Sequence, residues 1–124
     1  MNFKNFMENE FYNENDAYII VPSDEYDVAI LVGTNPLNFD DDNVDVEIRF
    51  KNGSLYTATF FTTQNIESIF RKNRETGECQ SGLYFYCKDM IIVEKLTIEN
   101  IVSTVKSLLK EDLFYSIFDS QNLD

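Results

Sequence analysis

The chain has 124 residues, 15% of them aromatic, which suits one domain with a core of its own and no need of a covalent staple. It carries 22 acidic and 10 basic residues for a net charge of −12, and nearly all of that excess lies in residues 1–48, where twelve acids accompany Lys4 as the one base. This balance argues against a nucleic-acid-binding surface over the first two-fifths of the chain, the lack of any apolar run near ~18 residues excludes a membrane-spanning helix, and two cysteines without a histidine exclude a zinc site of four Cys or His ligands.

In chain order, Phe3, Phe6, Met7 and Phe11 recur at helical spacing and predict a short amphipathic helix over 3–12. Glu8, Glu10 and Glu14 cross residues 1–15, which have no signal-like apolar run, so a cytoplasmic address with reduced thiols is expected. AYIIVP (17–22) and YDVAILVG (26–33) read as strands around a turn at 23–25. The loop TNPLNFDDDN (34–43) follows. VDVEIRF (44–50) alternates, with Val44, Val46, Ile48 and Phe50 on one side and Asp45, Glu47 and Arg49 on the other. Asn52-Gly53 signals a two-residue hairpin turn into LYTATFF (55–61). That register sets Phe50 opposite Leu55 and Val44 opposite Phe61, and it places Tyr56 and Phe60 among the charges of Asp45, Glu47 and Arg49.

FTTQNI (61–66) and LTIENI (96–101) share a pattern that the physics of helix starts explains. Thr62 and Thr97 are placed as N-caps, and Phe61 with Ile66, like Leu96 with Ile101, as a hydrophobic staple. The first helix, over 63–74, has Ile66, Ile69 and Phe70 on one face, Arg71, Lys72 and Arg74 toward its negative end, and a stop near Gly77. LYFYC (83–87) and MIIVE (90–94) predict two strands joined at Lys88-Asp89. The helix over 98–110 keeps Ile98, Ile101, Val102, Val105, Leu108 and Leu109 at the 3.6-residue period. Asp112 is placed as the cap of a last short helix over 113–118. Together these elements predict a single α+β domain over 1–124, a mainly antiparallel sheet of about six strands with C-terminal helices packed on one face in two layers.

The stretch RKNRETGECQSGLYFYC (71–87) holds both cysteines. Neither Cys79 nor Cys87 has a histidine to act as its base, and two thiols are too few for a metal site. Cys87 reads as a small core residue, Gly77 as a helix C-cap and Ser81-Gly82 as a turn. The aspartates at 40–45 do not form an EF-hand: counted from Asp41, position six is Val46 rather than glycine and position twelve is Asn52 rather than glutamate. No phosphate-cradling glycine loop or nucleophile elbow occurs. No catalytic residue, metal or cofactor is expected.

Over residues 58–118 the chain resembles a family of small acidic bacterial proteins of unassigned function. Three strings carry the resemblance: Thr-Phe-Phe-Thr at residues 59–62, Thr-Gly-Glu-Cys at 76–79 and Gly-x-Tyr-Phe at 82–85. The size, acidity and mixed α/β character of that family look like those of the immunity proteins that neutralise bacterial toxins, by analogy. The expectation is then a non-enzymatic protein-binding module. Its carboxylates Asp24, Glu25, Asp27, Asp40, Asp41, Asp42, Asp45 and Glu47 would meet a basic protein, such as a nuclease toxin, by charge complementarity. One alternative is a small-ligand or enzymatic pocket between sheet and helices, with Cys79, Tyr84 and Tyr86 on one wall. Another is a homo-oligomer joined through an uncovered sheet face that carries Tyr56 and Phe60. An acidic surface kept for solubility alone is the plainest reading. Neither nucleic acid nor membrane is expected as a partner.

Overall fold

Residues 11–122 are described in the computed structural model, so most of the helix expected over 3–12 lies outside the described residues, and Tyr12 opens a strand. The strands are β1 (Tyr12–Glu14), β2 (Tyr18–Pro22), β3 (Tyr26–Leu31), β4 (Asn43–Phe50), β5 (Leu55–Thr62), β6 (Met90–Val93) and β7 (Asp119–Ser120). The helices are α1 (Thr63–Thr76), α2 (Glu78–Gly82), α3 (Ile98–Lys110) and α4 (Phe114–Ile117). The fold is α+β, as expected. β1 to β5 form an antiparallel meander in sequence order, and β6 follows parallel to β5. β7 pairs antiparallel with the start of β5, so β6 and β7 share one edge of that strand.

Side-chain alternation gives the sheet two different faces. On the core face, Val21, Val28, Ile30, Val44, Val46, Ile48, Ala58 and Phe60 pack against Leu96, Ile101, Val102 and Val105, with Phe114 and Phe118 closing the cluster. Helices α3 and α4 therefore cover this face, because α3 presents its apolar stripe to it in three successive turns. Helix α1 is amphipathic too, yet Ile66, Ile69 and Phe70 take no part in that cluster. Both expected N-caps form: Thr62 and Thr97 each accept the backbone N–H three residues on, from Asn65 and Asn100, at 3.0 Å.

The β4–β5 hairpin departs from the expected register by one residue. Phe50 and Ser54 close a loop of Lys51, Asn52 and Gly53, with Gly53 N–H donating to Phe50 O at 3.0 Å and Gly53 at φ +96°. This is a turn followed by a left-handed glycine, the three-residue alternative to the two-residue loop. Arg49 thus faces Leu55, Ile48 faces Tyr56 and Val44 faces Phe60. A one-residue slip moves every side chain to the other face. Tyr56 and Phe60 consequently lie under the helices, and Leu55, Thr57, Thr59 and Phe61 turn to the second face. The uncovered aromatic face proposed as an oligomer interface therefore has neither residue on it.

Three further expectations change. Residues 83–87 form no strand, and β6 is left without the hairpin partner expected of it. The chain returns from β5 through α1 in the same direction, which makes β6 a parallel neighbour instead of a hairpin partner. Asp112 does not cap α4. It takes φ +60° after α3, and Leu113 stands at the N-cap without a side-chain bond. Gly77 does end α1 as foreseen, at φ +87°, donating its N–H to Asn73 O at 2.9 Å.

Immediately after that cap the backbone winds the other way. Cys79, Gln80 and Ser81 hold φ/ψ of 51/49°, 52/53° and 56/42°, so α2 is a left-handed turn. Its bonds run from Ser81 N–H to Gly77 O and from Leu83 N–H to Cys79 O. Gly82, at φ +80°, then lies flat on α1.

Candidate functional site

The alternation of β4 sends Asp45, Glu47 and Arg49 to the second face, and the register fixes their neighbours. Asp45 lies between Leu31 and Thr59, Glu47 between Ala29 and Thr57, and Arg49 between Asp27 and Leu55. β1 brings in Glu14 opposite Tyr18. The Arg49 guanidinium donates to both oxygens of Glu14 (3.0 and 3.1 Å) and to Glu47 Oε1 (3.1 Å), and it rides 5.0 Å above the Tyr18 ring. The Tyr18 hydroxyl donates to Glu47 Oε2 at 2.9 Å. Partial burial works against the charge on Arg49, but the bonds and charges of Glu47 and Glu14 outweigh it and raise its pKa. The Tyr18 phenol is raised first by its bond to Glu47 and then by burial.

Beside this network a cavity of about 230 Å³ opens on the same face. Asp45, Glu47 and Asp89 border it, Tyr18 and Leu31 give it apolar walls, and no basic side chain is among its lining residues. Thr59 Oγ1 donates to Asp45 at 2.8 Å and holds that carboxylate in place. The cavity can therefore take a cationic head with an apolar stem. Among the described residues no group of three or more His, Cys, Asp or Glu side chains is arranged to hold a metal ion.

The eight acids singled out from the sequence separate into three places. Asp45 and Glu47 line the cavity. Asp27 is on the same face but pairs with Lys51 at 3.4 Å. Asp40, Asp41 and Asp42 stand at the end of the sheet where β4 begins, and each has a local task. Asp40 pairs with Lys95. Asp41 accepts from Asn65 Nδ2 (2.9 Å) and Ser68 Oγ (2.8 Å), which ties the loop to α1. Asp42 accepts the N–H groups of Asn38 and Asn43 at 3.1 and 2.8 Å. Asp24 and Glu25 sit at the opposite end, in the β2–β3 turn. They border an open groove of about 550 Å³ with Lys106 and Lys110 across from them and Tyr26, Phe50 and Tyr115 lining it as well.

Asp41 is titratable in a way that can be checked. The bonds from Asn65 and Ser68 lower its pKa. A carboxyl depressed in the folded state adds stability at pH above its unfolded value, about 3.9, and that stability is lost as pH falls through the lower folded value. Urea unfolding followed from about pH 6 to about pH 2, through the ordinary carboxylate range, is expected to show a steeper acid loss for the native chain than for Asp41→Asn. Equal slopes would mean that the loop is not held by the charged form.

Of the alternative site, Tyr84 and Tyr86 are exposed and stack on each other with centroids 6.5 Å apart. Cys79 is half-buried in the left-handed turn. None of the three lines the cavities described here. Cys87, also half-buried, lies outside any strand, with its thiol 3.7 Å from Asp89. Sequence reasoning missed Glu14, Tyr18, Arg49 and Asp89 as site residues. Arg49 was placed on the right face by alternation alone, but Glu14 and Asp89 arrive through strand pairing that has no local signal.

Comparison with protein-family models, with curated proteins and with solved structures finds no match. The function must be read from the site's own chemistry.

Proposed function

We propose that the chain is a non-enzymatic protein-binding module whose second sheet face receives basic side chains of a partner protein. The observation that carries this is the cavity beside Arg49, bordered by three carboxylates with no base among its lining. A lysine or arginine entering it would lay its stem along Leu31 and Tyr18 and its charge against Asp45 and Asp89. Glu47 is already engaged by Arg49 and Tyr18, so it shapes the wall more than it offers charge. The remaining acids act at longer range, where a net charge of −12 steers a cationic partner and speeds encounter. Immunity-like inhibition of a nuclease-type bacterial protein in the cytoplasm is the particular form we favour. A surface built to hold phosphate is lined with the very side chains this cavity accepts.

The test is affinity capture at low and at high ionic strength with the native chain and with Asp45→Asn/Asp89→Asn. The native chain is expected to hold a basic protein at low salt and to release it as screening rises. The double variant, folded by circular dichroism, is expected to bind it at least about tenfold more weakly, since both carboxylates facing the incoming charge are neutralised. Equal capture by both chains, or capture of acidic proteins alone, would overturn the reading.

A further inference from the structure

Strand β6 ends the sheet, and among the described residues no strand pairs with its outer edge. The ladder identifies which groups point outward. Thr59 pairs with Met90, and Thr59 N–H donates to Asp89 O at 3.0 Å. In a parallel ladder the bonding residues alternate, so the N–H and C=O of Ile91 turn toward β5 and those of Met90 and Ile92 turn away from it. The Ile92 side chain is 51% exposed on the second face. Edge strands are commonly blunted by a lysine, a proline or a bulge within them, and Met-Ile-Ile-Val has none of these; its guards are its shortness, four residues, and Lys88 and Lys95 beyond its ends.

On the core-face side, at the end of this strand, an open groove of about 390 Å³ lies against α3, with Val93 the one β6 residue in its lining. Val93 and Leu108 give it apolar surface, and Glu94, Ser103, Thr104 and Ser107 give it polar walls. The cations beside the strand are both engaged: Lys88 pairs with Asp119 at 3.2 Å, and Lys95 pairs with Asp40. Glu94 is the one charged residue in the lining of the groove, so it is the charge that a side chain entering there meets. An edge strand beside a helix, with a groove between them, is the arrangement that takes an extended peptide: main-chain bonds hold it, and alternate side chains drop into the groove.

We propose that the edge of β6 and its groove against α3 bind an extended basic segment of another protein, added as a further strand. Outward groups of Met90 and Ile92 bond its backbone. Side chains on one side of the segment enter the groove, where Glu94 selects lysine or arginine, and those on the other side cover Ile92. A second copy of this chain is the less suitable occupant, since two molecules of charge −12 repel. The proposal does not depend on the cavity beside Arg49, which lies on the other face of the sheet.

The experiment uses the full chain, isotope-labelled, with a synthetic peptide of alternating valine and lysine about ten residues long, enough to span an edge strand. A valine–glutamate peptide is the control. The lysine peptide is expected to slow hydrogen exchange at the Met90 and Ile92 amides by about tenfold or more, as new backbone bonds would, and the glutamate peptide to leave them unchanged. Ser107→Trp fills the groove from an exposed position, and Ile92→Lys charges the edge. Each is expected to weaken peptide binding by about tenfold while keeping the native unfolding midpoint. Four outcomes would overturn the proposal: binding with no change at those two amides, binding indifferent to both variants, binding abolished by Asp45→Asn/Asp89→Asn, or protection that rises with protein concentration in the absence of peptide. The last would give the edge to a second copy.

Discussion

Replacing Phe114 with alanine is expected to cost about 3–5 kcal/mol of folding stability, the usual range for deleting a buried ring. Phe114 is fully buried and stands where the sheet, α4 and the start of β7 meet. Its ring lies 4.2 Å from that of Phe118, 5.0 Å from Tyr115, 5.4 Å from Tyr56 and 5.7 Å from Phe50. The stacked and edge-to-face contacts among these rings each add about 0.5–1.5 kcal/mol beyond area. Four neighbours converge on one side chain, so the surroundings cannot close the gap without moving β4, β5 and α4 together. Against a total stability of about 5–15 kcal/mol for a domain, such a loss is a large fraction of the whole. Urea titration measures it. Tyr115→Ala, which removes an exposed ring of the same cluster, serves as the comparison and is expected to cost roughly 1 kcal/mol. Equal costs for the two would show that Phe114 is not the centre of the cluster.

Gly82→Ala is expected to cost about 2–4 kcal/mol, from left-handed backbone and overpacking together. A β-carbon at this position would stand 2.6 Å from Arg74 Cγ, 2.9 Å from the Phe70 carbonyl oxygen and 3.1 Å from the Arg74 nitrogen. Two of these atoms are helix backbone and cannot swing aside. Gly77 provides the comparison, because its φ of +87° is close to the +80° of Gly82 but nothing lies within 4 Å of its would-be β-carbon. Gly77→Ala should therefore carry the conformational cost alone, about 1–2 kcal/mol. The difference between the two variants reads the close approach of residue 82 to α1. If Gly77→Ala proved the more damaging, the contact between the left-handed turn and α1 would be wrongly described.

Much of this architecture is legible in the amino-acid sequence. The helix over 98–110 ends where its period ends, and both threonine caps announce themselves through residues three apart. The strands at 18–22, 26–31 and 43–50 follow from β-branched runs between turn residues. The hairpin shows the limit. Asn52-Gly53 supports either a two-residue or a three-residue loop, and the choice depends on whether Tyr56 and Phe60 or Leu55 and Phe61 fill the space under α3 and α4, a question of packing across the molecule. Residues 83–87 have the composition of a strand but pair with none, and Phe85 instead sets its ring 5.5 Å from that of Phe61. No local pattern foretells that contact. The acidic site was half visible in the same sense. Composition pointed to Asp45 and Glu47 but equally to Asp40, Asp41 and Asp42, whose carboxylates hold a loop and a helix start. Distinguishing acids that tie the loop to α1 from acids that line the cavity required the strand register and their hydrogen-bond partners.

The turn at residues 79–81 is built in the mirror image of an ordinary helical turn, and so it inverts the usual chirality preference of the chain. L-amino acids pay about 1–2 kcal/mol apiece in this conformation, whereas their D-enantiomers would occupy it at rest. A chain assembled by chemical ligation with D-alanine at position 80 would relax a segment that ribosomal synthesis can ease most fully with glycine, and glycine brings its own loss of entropy on folding.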